Sequence, residues 1–445
     1  MHNKHRQIPK GQFETWFHRL VPCPALRSLL RRYHPRARRG RKITGHECLT
    51  AQVYHGLRRQ GTLSHHVKEL LGITISDAAL TQRRARLPWE VFPRLLELAL
   101  HPLAEPRRHT AAFYHGLRLV GIDGTQWSVR NTPRILGSLS KAAARRLDAA
   151  FAKVGLVVVV ELGMHNPLAA AIGREGEAEA VLARRAVTGL PEKCLLLGDR
   201  LYGTAKWVVE WLGLCAERQS HFLVRVRSNL KARVVESLGD GSALVELLGR
   251  DAQGRKQRVV VREIRGRVVG RGGKVTVVRL WTSLLAAAQH PARELIELYA
   301  QRWEAELSYR ELKIEMRGGE LLASHTVETA AQELACVVIA QAVVAQVRAE
   351  AGGAAVLRVS FAKVVAVMEG VWLTLAVGAG VLSERQERAL VQRAMLYLAE
   401  VMSAPRRARS CPRAVRQPVS SWPRLIKNES LHGEIGYEIL PVSTT

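Results

Sequence analysis

The chain has 445 residues, 47% hydrophobic and 24% charged, which is enough apolar content for a sizeable core in more than one domain and excludes a disordered chain. Its 67 Lys and Arg against 39 Asp and Glu give a formal net charge of +28, a field that favours DNA, RNA or an anionic membrane as partner. The membrane is the weaker choice. The start MHNKHRQIPKGQFETW has no apolar signal core, and the later apolar runs are interrupted, Ala335–Val347 by Gln341 and Phe361–Leu382 by Lys363 and Glu369, as in buried helices.

The N-terminal part reads as helical. A basic block from Arg27 to Lys42, with Arg31, Arg32, Arg36, Arg38, Arg39 and Arg41, is an exposed linker or a DNA-contacting arm. From Gly61 to Leu87 two short helical patterns surround Gly72, with Ser64 and Ser76 as N-caps and Arg83, Arg84 and Arg86 late in the second. That pattern fits a helix-turn-helix or a plain helical hairpin.

The middle of the chain alternates in type. Leu117–Ile122 is a strand ending at Asp123, Gly155–Leu162 a valine-rich second strand, and Pro167–Ile172 a third, joined to it by a tight turn. A helix follows from Glu175 to Gly189, then a short strand Cys194–Leu197 delivering Asp199, a helix Thr204–Cys215 and a strand His221–Val226. Strand-like runs at Ala243–Leu248, Arg258–Ile264 and Val275–Leu280, with Gly-rich turns, form an inserted β subdomain before one long helix from Pro291 to Arg317, stopped by Gly318-Gly319. Strand, strand, strand, helix, strand, helix, strand, helix is the ribonuclease H-like order. The expected fold is therefore α/β: a ribonuclease H-like core over 111–319 with a β insertion at 228–285, a helical N-terminal DNA-binding region 1–110 and a C-terminal helical region 320–402. The basic, Pro-interrupted segment 403–445 is expected to be a flexible linker and tail.

Simpler chemistries fail. Cys23, Cys48, Cys194, Cys215, Cys336 and Cys411 are scattered, with no C-x-x-C pair and no Cys/His cluster at zinc spacing, so reduced thiols of a cytosolic protein are expected. His65 and His66 are adjacent and point to different sides of a helix, against a metal pair. The run Gly266–Val275 has no Gly six residues before Lys274 and no Ser or Thr after it, which makes it a basic hairpin turn and not a phosphate loop.

What remains is acidic. Asp123 and Asp199 each follow a buried strand, where side chains of an α/β sheet converge on a ligand, although Asp-Gly is also a common turn and Asp199 also fits a helix cap. On the long helix, at about 100° per residue, Tyr299, Arg302, Glu306 and Lys313 fall within an arc of about 60°, and Arg310 and Arg317 lie near the same stripe; a solvated face with i,i+4 ion pairs is the plain alternative. Three carboxylates without thiolate or imidazole partners favour a hard cation, Mg²⁺ or Mn²⁺. Two such ions flanking a phosphodiester activate the attacking water or 3′-hydroxyl and stabilise the leaving oxygen, with Asp123 the natural bridging ligand. Arg302 and Lys313 would hold phosphates beside the scissile bond and Tyr299 would stack or hydrogen-bond near the DNA end.

The spacing Tyr299, two residues, Arg302, three residues, Glu306, six residues, Lys313, with Ile-Asp123-Gly-Thr and Gly-Asp199-Arg-Leu-Tyr202, resembles the insertion-sequence-four family of DDE transposases over roughly Leu117 to Gly319. The resemblance implies a ribonuclease H-like catalytic core that cuts insertion-element ends and joins them to target DNA with two Mg²⁺ ions. It assigns Asp123, Asp199 and Glu306 as catalytic metal ligands and Tyr299, Arg302 and Lys313, with Arg310 nearby, as the grip on the element end. It further implies double-stranded DNA partners, the terminal inverted repeats and the target, a homodimer in the synaptic complex, and work on the bacterial nucleoid in the cytoplasm. Members that pass through a DNA hairpin stack a flipped base on a Trp of the β insertion, and Trp281 is the candidate by location. A catalytically silent DNA-binding regulator and a metal-dependent nuclease without strand transfer are the alternatives; the intact triad speaks against the first, and sequence does not separate the second.

Overall fold

A computed structural model describes residues 13–33, 42–58, 61–141, 150–251, 253–269, 275–316, 321–404 and 436–441. The chain forms two compact units. The first contains residues up to Gly116, Val120–Pro191 and Glu304–Ser403; the second contains Leu117–Leu119, Glu192–Trp303 and the chain from Ala404 on.

Among the described residues of the first unit six helices come first: α1 Phe13–Leu20, α2 Cys23–Tyr33, α3 Gly45–Leu57, α4 Leu63–Leu71, α5 Asp77–Ala85 and α6 Val91–Ala99. The hairpin α4–α5 lies where the helical pattern put it. Its first cap is Thr62, whose hydroxyl accepts from the His65 N–H, and not Ser64; Ser76 caps α5 as expected, and Gly72 closes α4 with a left-handed φ of 68°. Arg84 is turned inward, donating to Ser324 Oγ at 3.2 Å and Thr329 O at 3.0 Å. In the basic block, Arg36, Arg38, Arg39 and Arg41 lie outside the described residues, as do Lys274, Arg317 to Gly319, Cys411 and most of the basic tail. Although no zinc spacing is written in the sequence, the packing of α1, α2 and α3 brings His18, Cys23 and His46 together.

A short strand β1, Phe113–Tyr114, leads to β2, Leu117–Val129. After the short helix α7, Pro133–Leu136, come β3, Ala152–Glu161, β4, Asn166–Ile172, and α8, Glu179–Val187. Strands β2, β3 and β4 pair antiparallel in that order. Asp123 is opposite Val158, inside the ladder, so the strand does not end at Asp123 and Asp123-Gly124 is not a turn. The reason is the length of β3, whose pairing continues to Val129. β3 is buried on both faces, lying against α8 and against α12, Val327–Gly352. A strand covered on both sides reads as a continuous valine run.

Helix α12 is long and apolar enough to cross a membrane, but 94% of its most apolar window is buried inside the protein. It is the central helix of the unit, apolar all round as a helix surrounded by protein must be, and packs on α3, α6 and β4. Its polar residues serve internal contacts: Gln341 donates to Ser308 O at 3.2 Å and Oγ at 2.9 Å. Helices α13, Phe361–Val377, and α14, Glu384–Glu400, complete the unit.

The second unit begins with β5, Cys194–Gly198, α9, Ala205–Glu217, and β6, His221–Arg225. Then follow β7, Arg233–Ser237, β8, Ala243–Arg250, β9, Lys256–Val269, and β10, Val275–Thr282. β5 and β6 are parallel, β6 pairs antiparallel with β10, and β10, β9, β8 and β7 follow in order. The insertion therefore continues the sheet of β5 and β6 instead of forming a sheet of its own. Its first strand, β7, is mostly exposed and had no apolar signature. Within the tail, β11, Gly436–Leu440, pairs antiparallel with β9 along the edge that β8 also uses, so these residues are a strand and not linker.

The long helix expected from Pro291 to Arg317 is broken. α10, Ala292–Tyr299, passes into a 3₁₀ turn, Ala300–Arg302, then α11, Trp303–Arg310, then a π-helical turn, Glu311–Met316. A uniform 100° per residue does not apply across these changes of pitch. In a 3₁₀ turn residues i and i+3 eclipse, which aligns Arg302 with Tyr299 more closely than an α-helix would.

Candidate active site

Each unit by itself assembles part of the expected residue set. In the first unit Asp123 sits half-buried on β2, its Oδ1 accepting the Gly124 N–H at 2.9 Å. Glu306 is half-buried on α11. Tyr309, three residues further along the same helix and hence on the same face, accepts the Val158 N–H at 2.9 Å and donates to the carbonyl of Asp123 itself. That phenol is fully buried, and burial together with the Asp123 carboxylate pushes its pKa well above the ordinary value. It is therefore a permanent donor that ties the face of Glu306 to the strand of Asp123. Close approach is possible because residue 121 is glycine: a Cβ there would lie 3.2 Å from Ala305 Cβ and 2.8 Å from Leu162 Cδ2.

The same helix is held from behind by a buried ion network. His165, in the β3–β4 turn with a left-handed φ of 53°, is 2.7 Å from Glu304 Oε2 and 2.9 Å from Glu311 Oε2. Arg348 of α12 donates to Glu311 Oε1 at 3.1 Å. Burial pulls the His165 pKa down, but Glu311 and the hydrogen bonds to Glu304 and Glu311 outweigh it, and the net shift is upward. Both ring nitrogens face carboxylates, as an imidazolium requires. This network brackets the turn from α11 into the π-helical segment, and π turns recur at functional sites.

Lys313, on the π turn, donates to Gln126 O at 2.9 Å and lies 5.8 Å from the centroid of the Trp127 ring. It lines a cleft of about 400 Å³ with Gly124, Thr125, Gln126 and the acids Glu177 and Glu179. Glu179 lies over Gly124, where a Cβ would be 2.2 Å from its carboxyl carbon. A side chain at position 124 would displace the Glu179 carboxyl from this place. Arg310 is exposed and 4.0 Å from Glu315.

In the second unit Asp199 follows β5, its Oδ1 accepting the Leu201 N–H at 2.8 Å. Tyr299, at the end of α10, donates to Gly198 O at 3.2 Å, the residue before Asp199. Its pKa is pushed up to about 12, first by burial and then by Asp199 against the opposing pull of Arg302 and Arg225. Arg225 is held below its ordinary range by burial and by Arg200 and Arg302, with Tyr299 and Asp199 acting in the other direction. Asp199, Tyr299 and Arg302 are thus neighbours in this unit, with Arg225 and Arg200 among them. Arg225 follows from register: β5 and β6 are parallel with Gly198 opposite Val224, so the next residues, Asp199 and Arg225, stand side by side at the ends of the two strands.

Trp281 is a correction. It is 1% exposed, and its Nε1–H donates to Glu263 Oε2 at 2.8 Å, an oxygen that also receives Arg279 at 2.7 Å. A Trp on β10 between two paired strands, with its polar edge used internally, is a core residue and presents no face to a base. Among the described residues of this unit, the exposed indole is that of Trp303, 46% exposed.

Residues 114–342, half of the chain, match the model of the transposase DDE domain. The chain belongs to the transposase DDE domain family. It is 30% identical over 269 residues, 60% of this chain and 60% of the relative, to transposase InsG for insertion sequence element IS4 of Escherichia coli strain K12, in line with the subfamily that the tetrad pointed to. The chain thus spans about 60% of that relative's own length. Among solved structures it aligns with the piggyBac transposase of a synaptic complex with hairpin DNA, with a TM-score of 0.41 and 9% identity over 89% of this chain and 82% of the other. Asp123, Asp199, Tyr299, Arg302, Glu306 and Lys313 lie within the matched span. Sequence reading missed Tyr309, His165, Arg225 and Glu179; the i,i+3 relation of Tyr309 to Glu306 was the one signal of these four open to it.

Proposed function

We propose that this protein is a DNA transposase that cuts the ends of its insertion element and joins them to target DNA. The observation that carries the reading is the tie from Tyr309 to the Asp123 carbonyl, which serves to present Glu306 and Asp123 together, in a chain of the DDE family. Asp123 and Glu306, with Asp199 added on the family pattern, would hold divalent cations, Mg²⁺ with Mn²⁺ as a substitute; all-oxygen, half-buried carboxylates are suitable donors for such hard ions. Bound there, the ions lower the pKa of the attacking water or 3′-hydroxyl and stabilise the leaving oxygen.

The remaining work belongs to the chain's own cations and phenol. Arg302, with Arg225 and Arg200, grips phosphates of the element end, and Lys313 does so from the π turn. The Tyr299 hydroxyl, which stays protonated, fixes the end of α10 beside Asp199. The helical region 1–110 contributes to end binding, the synaptic complex is a homodimer, and the substrate is double-stranded DNA of the bacterial nucleoid in the cytoplasm.

The test is an Mg²⁺-dependent cleavage and strand-transfer assay on DNA carrying the terminal repeats that flank the gene. Asp123→Ala, Asp199→Ala and Glu306→Ala should each abolish cleavage while end binding persists. Cuts without joined products would make the protein a nuclease, and equal loss of binding in all three variants would sink the catalytic assignment.

A further inference from the structure

The N-terminal helices gather three side chains of metal-ligand type that the proposed chemistry does not use. His18 is near the end of α1, Cys23 begins α2 and His46 is in the first turn of α3. One ligand atom from each lies within 4.8 Å of the other two. Cys23 Sγ is 3.7 Å from His46 Nε2, and the His18 and His46 rings stack with centroids 4.9 Å apart.

The decisive detail is the protonation pattern of His18. Its Nδ1 is 3.1 Å from the Val21 carbonyl, which only accepts, so Nδ1 carries the proton and Nε2 is left with its lone pair. That Nε2 is buried and has no hydrogen-bond partner. Metal-bound imidazoles characteristically have this arrangement, one nitrogen donating to a backbone carbonyl and the other bare toward the ion.

We propose that His18, Cys23 and His46 form a binding site for a borderline-soft transition-metal ion of the zinc class. Bond lengths of about 2.0–2.1 Å to nitrogen and 2.3 Å to sulfur put tetrahedral N and S ligands about 3.6 Å apart, and the Cys23–His46 separation of 3.7 Å already matches. A ligand atom of His18 lies within 4.8 Å of both. A thiolate and two imidazoles discriminate against Mg²⁺, so the site does not compete with the carboxylates for their ion. Binding releases the Cys23 thiol proton to solvent, and water completes four-coordination. All three residues are partly buried and solvent-reachable. Cys23 and His46 flank the sequence that carries Arg36, Arg38, Arg39 and Arg41, so the ion would clamp the two ends of the basic block.

The experiment uses the full chain, freed of metal and then titrated with Co²⁺ and Zn²⁺. One equivalent of Co²⁺ should produce a thiolate-to-metal charge-transfer band with tetrahedral d–d bands, and Zn²⁺ should displace it. The bands should be lost in Cys23→Ser and His46→Ala and kept in Asp123→Ala and His65→Ala. Loss of the bands in Asp123→Ala, or their survival in Cys23→Ser, would overturn the proposal. Because the variants are open to the objection of misfolding, the unaltered protein gives the second readout. Zn²⁺, but not Mg²⁺, should slow alkylation of Cys23 by iodoacetamide at least tenfold, read peptide by peptide by mass spectrometry. Equal rates with and without Zn²⁺ would refute the site independently of whether the protein transposes DNA.

Discussion

Replacing His165 by alanine removes the cation shared by Glu304 and Glu311. The His165 side chain is fully buried, 2.7 Å from one carboxylate and 2.9 Å from the other, while Arg348 holds the second oxygen of Glu311 at 3.1 Å. Deleting one partner of a buried ion pair costs about 3–5 kcal/mol. The lower end applies, because Arg348 remains on Glu311 and the partly exposed Glu304 is able to turn to water. A cooperative unit of roughly 300 residues, with about 2.1 cal/mol/K of unfolding entropy per residue, shifts its midpoint by about 1.6 °C per kcal/mol, so the expected loss is about 5 °C. The pH dependence has a definite sign. The folded pKa of His165 is raised above its ordinary 6.5, so its stabilisation is fully present below 6.5 and is lost as pH rises through the raised folded value. Thermal unfolding of parent and His165→Ala, followed by circular dichroism from pH 6 upward, should give the widest gap at pH 6 and a narrowing gap above it. A gap under about 1 °C at pH 6, or one that widens with pH, would show that His165 is not the buried cation of this network.

Three further outcomes follow from particular contacts. Tyr309→Phe leaves the Val158 N–H and the Asp123 carbonyl without their shared partner, at about 1–3 kcal/mol for each; the urea midpoint should fall and cleavage drop while end binding holds, and an unchanged midpoint would remove the bridge from the argument. Trp281→Phe deletes one hydrogen bond to Glu263, which keeps Arg265 and Arg279, so about 1 kcal/mol of stability is lost with DNA affinity unaltered in a gel-shift titration; a loss confined to end binding at full stability would return Trp281 to the DNA interface. Arg225→Gln should reduce the slope of log K against log[salt] for end binding by about 0.9, one phosphate contact, and a parental slope would show that Arg225 does not touch the backbone.

The elements of the core were legible because periodicity and strand order are local properties. A valine run covered on both faces, an apolar run ending at Asp199 and the helical pattern around Glu306 are each written in consecutive residues, and the tetrad spacing within one short segment carried the family. Strand limits at Asp123 were not legible, because β2 continues only as far as β3 offers partners, and that pairing is non-local. Nor was the change of pitch from α-helix to 3₁₀ turn to π turn, where Gln341, His165 and Arg348, remote in sequence, contact Ser308 and Glu311. Trp281 illustrates the same limit: an aromatic at a strand end has the same sequence signature whether it faces DNA or a buried Glu263. Register alone set Arg225 beside Asp199, and the packing of three helices alone gathered His18, Cys23 and His46. Residue types and local patterns therefore determined which chemistry this chain is able to carry, while tertiary packing decided which side chains meet, because meeting depends on contacts between segments far apart in sequence.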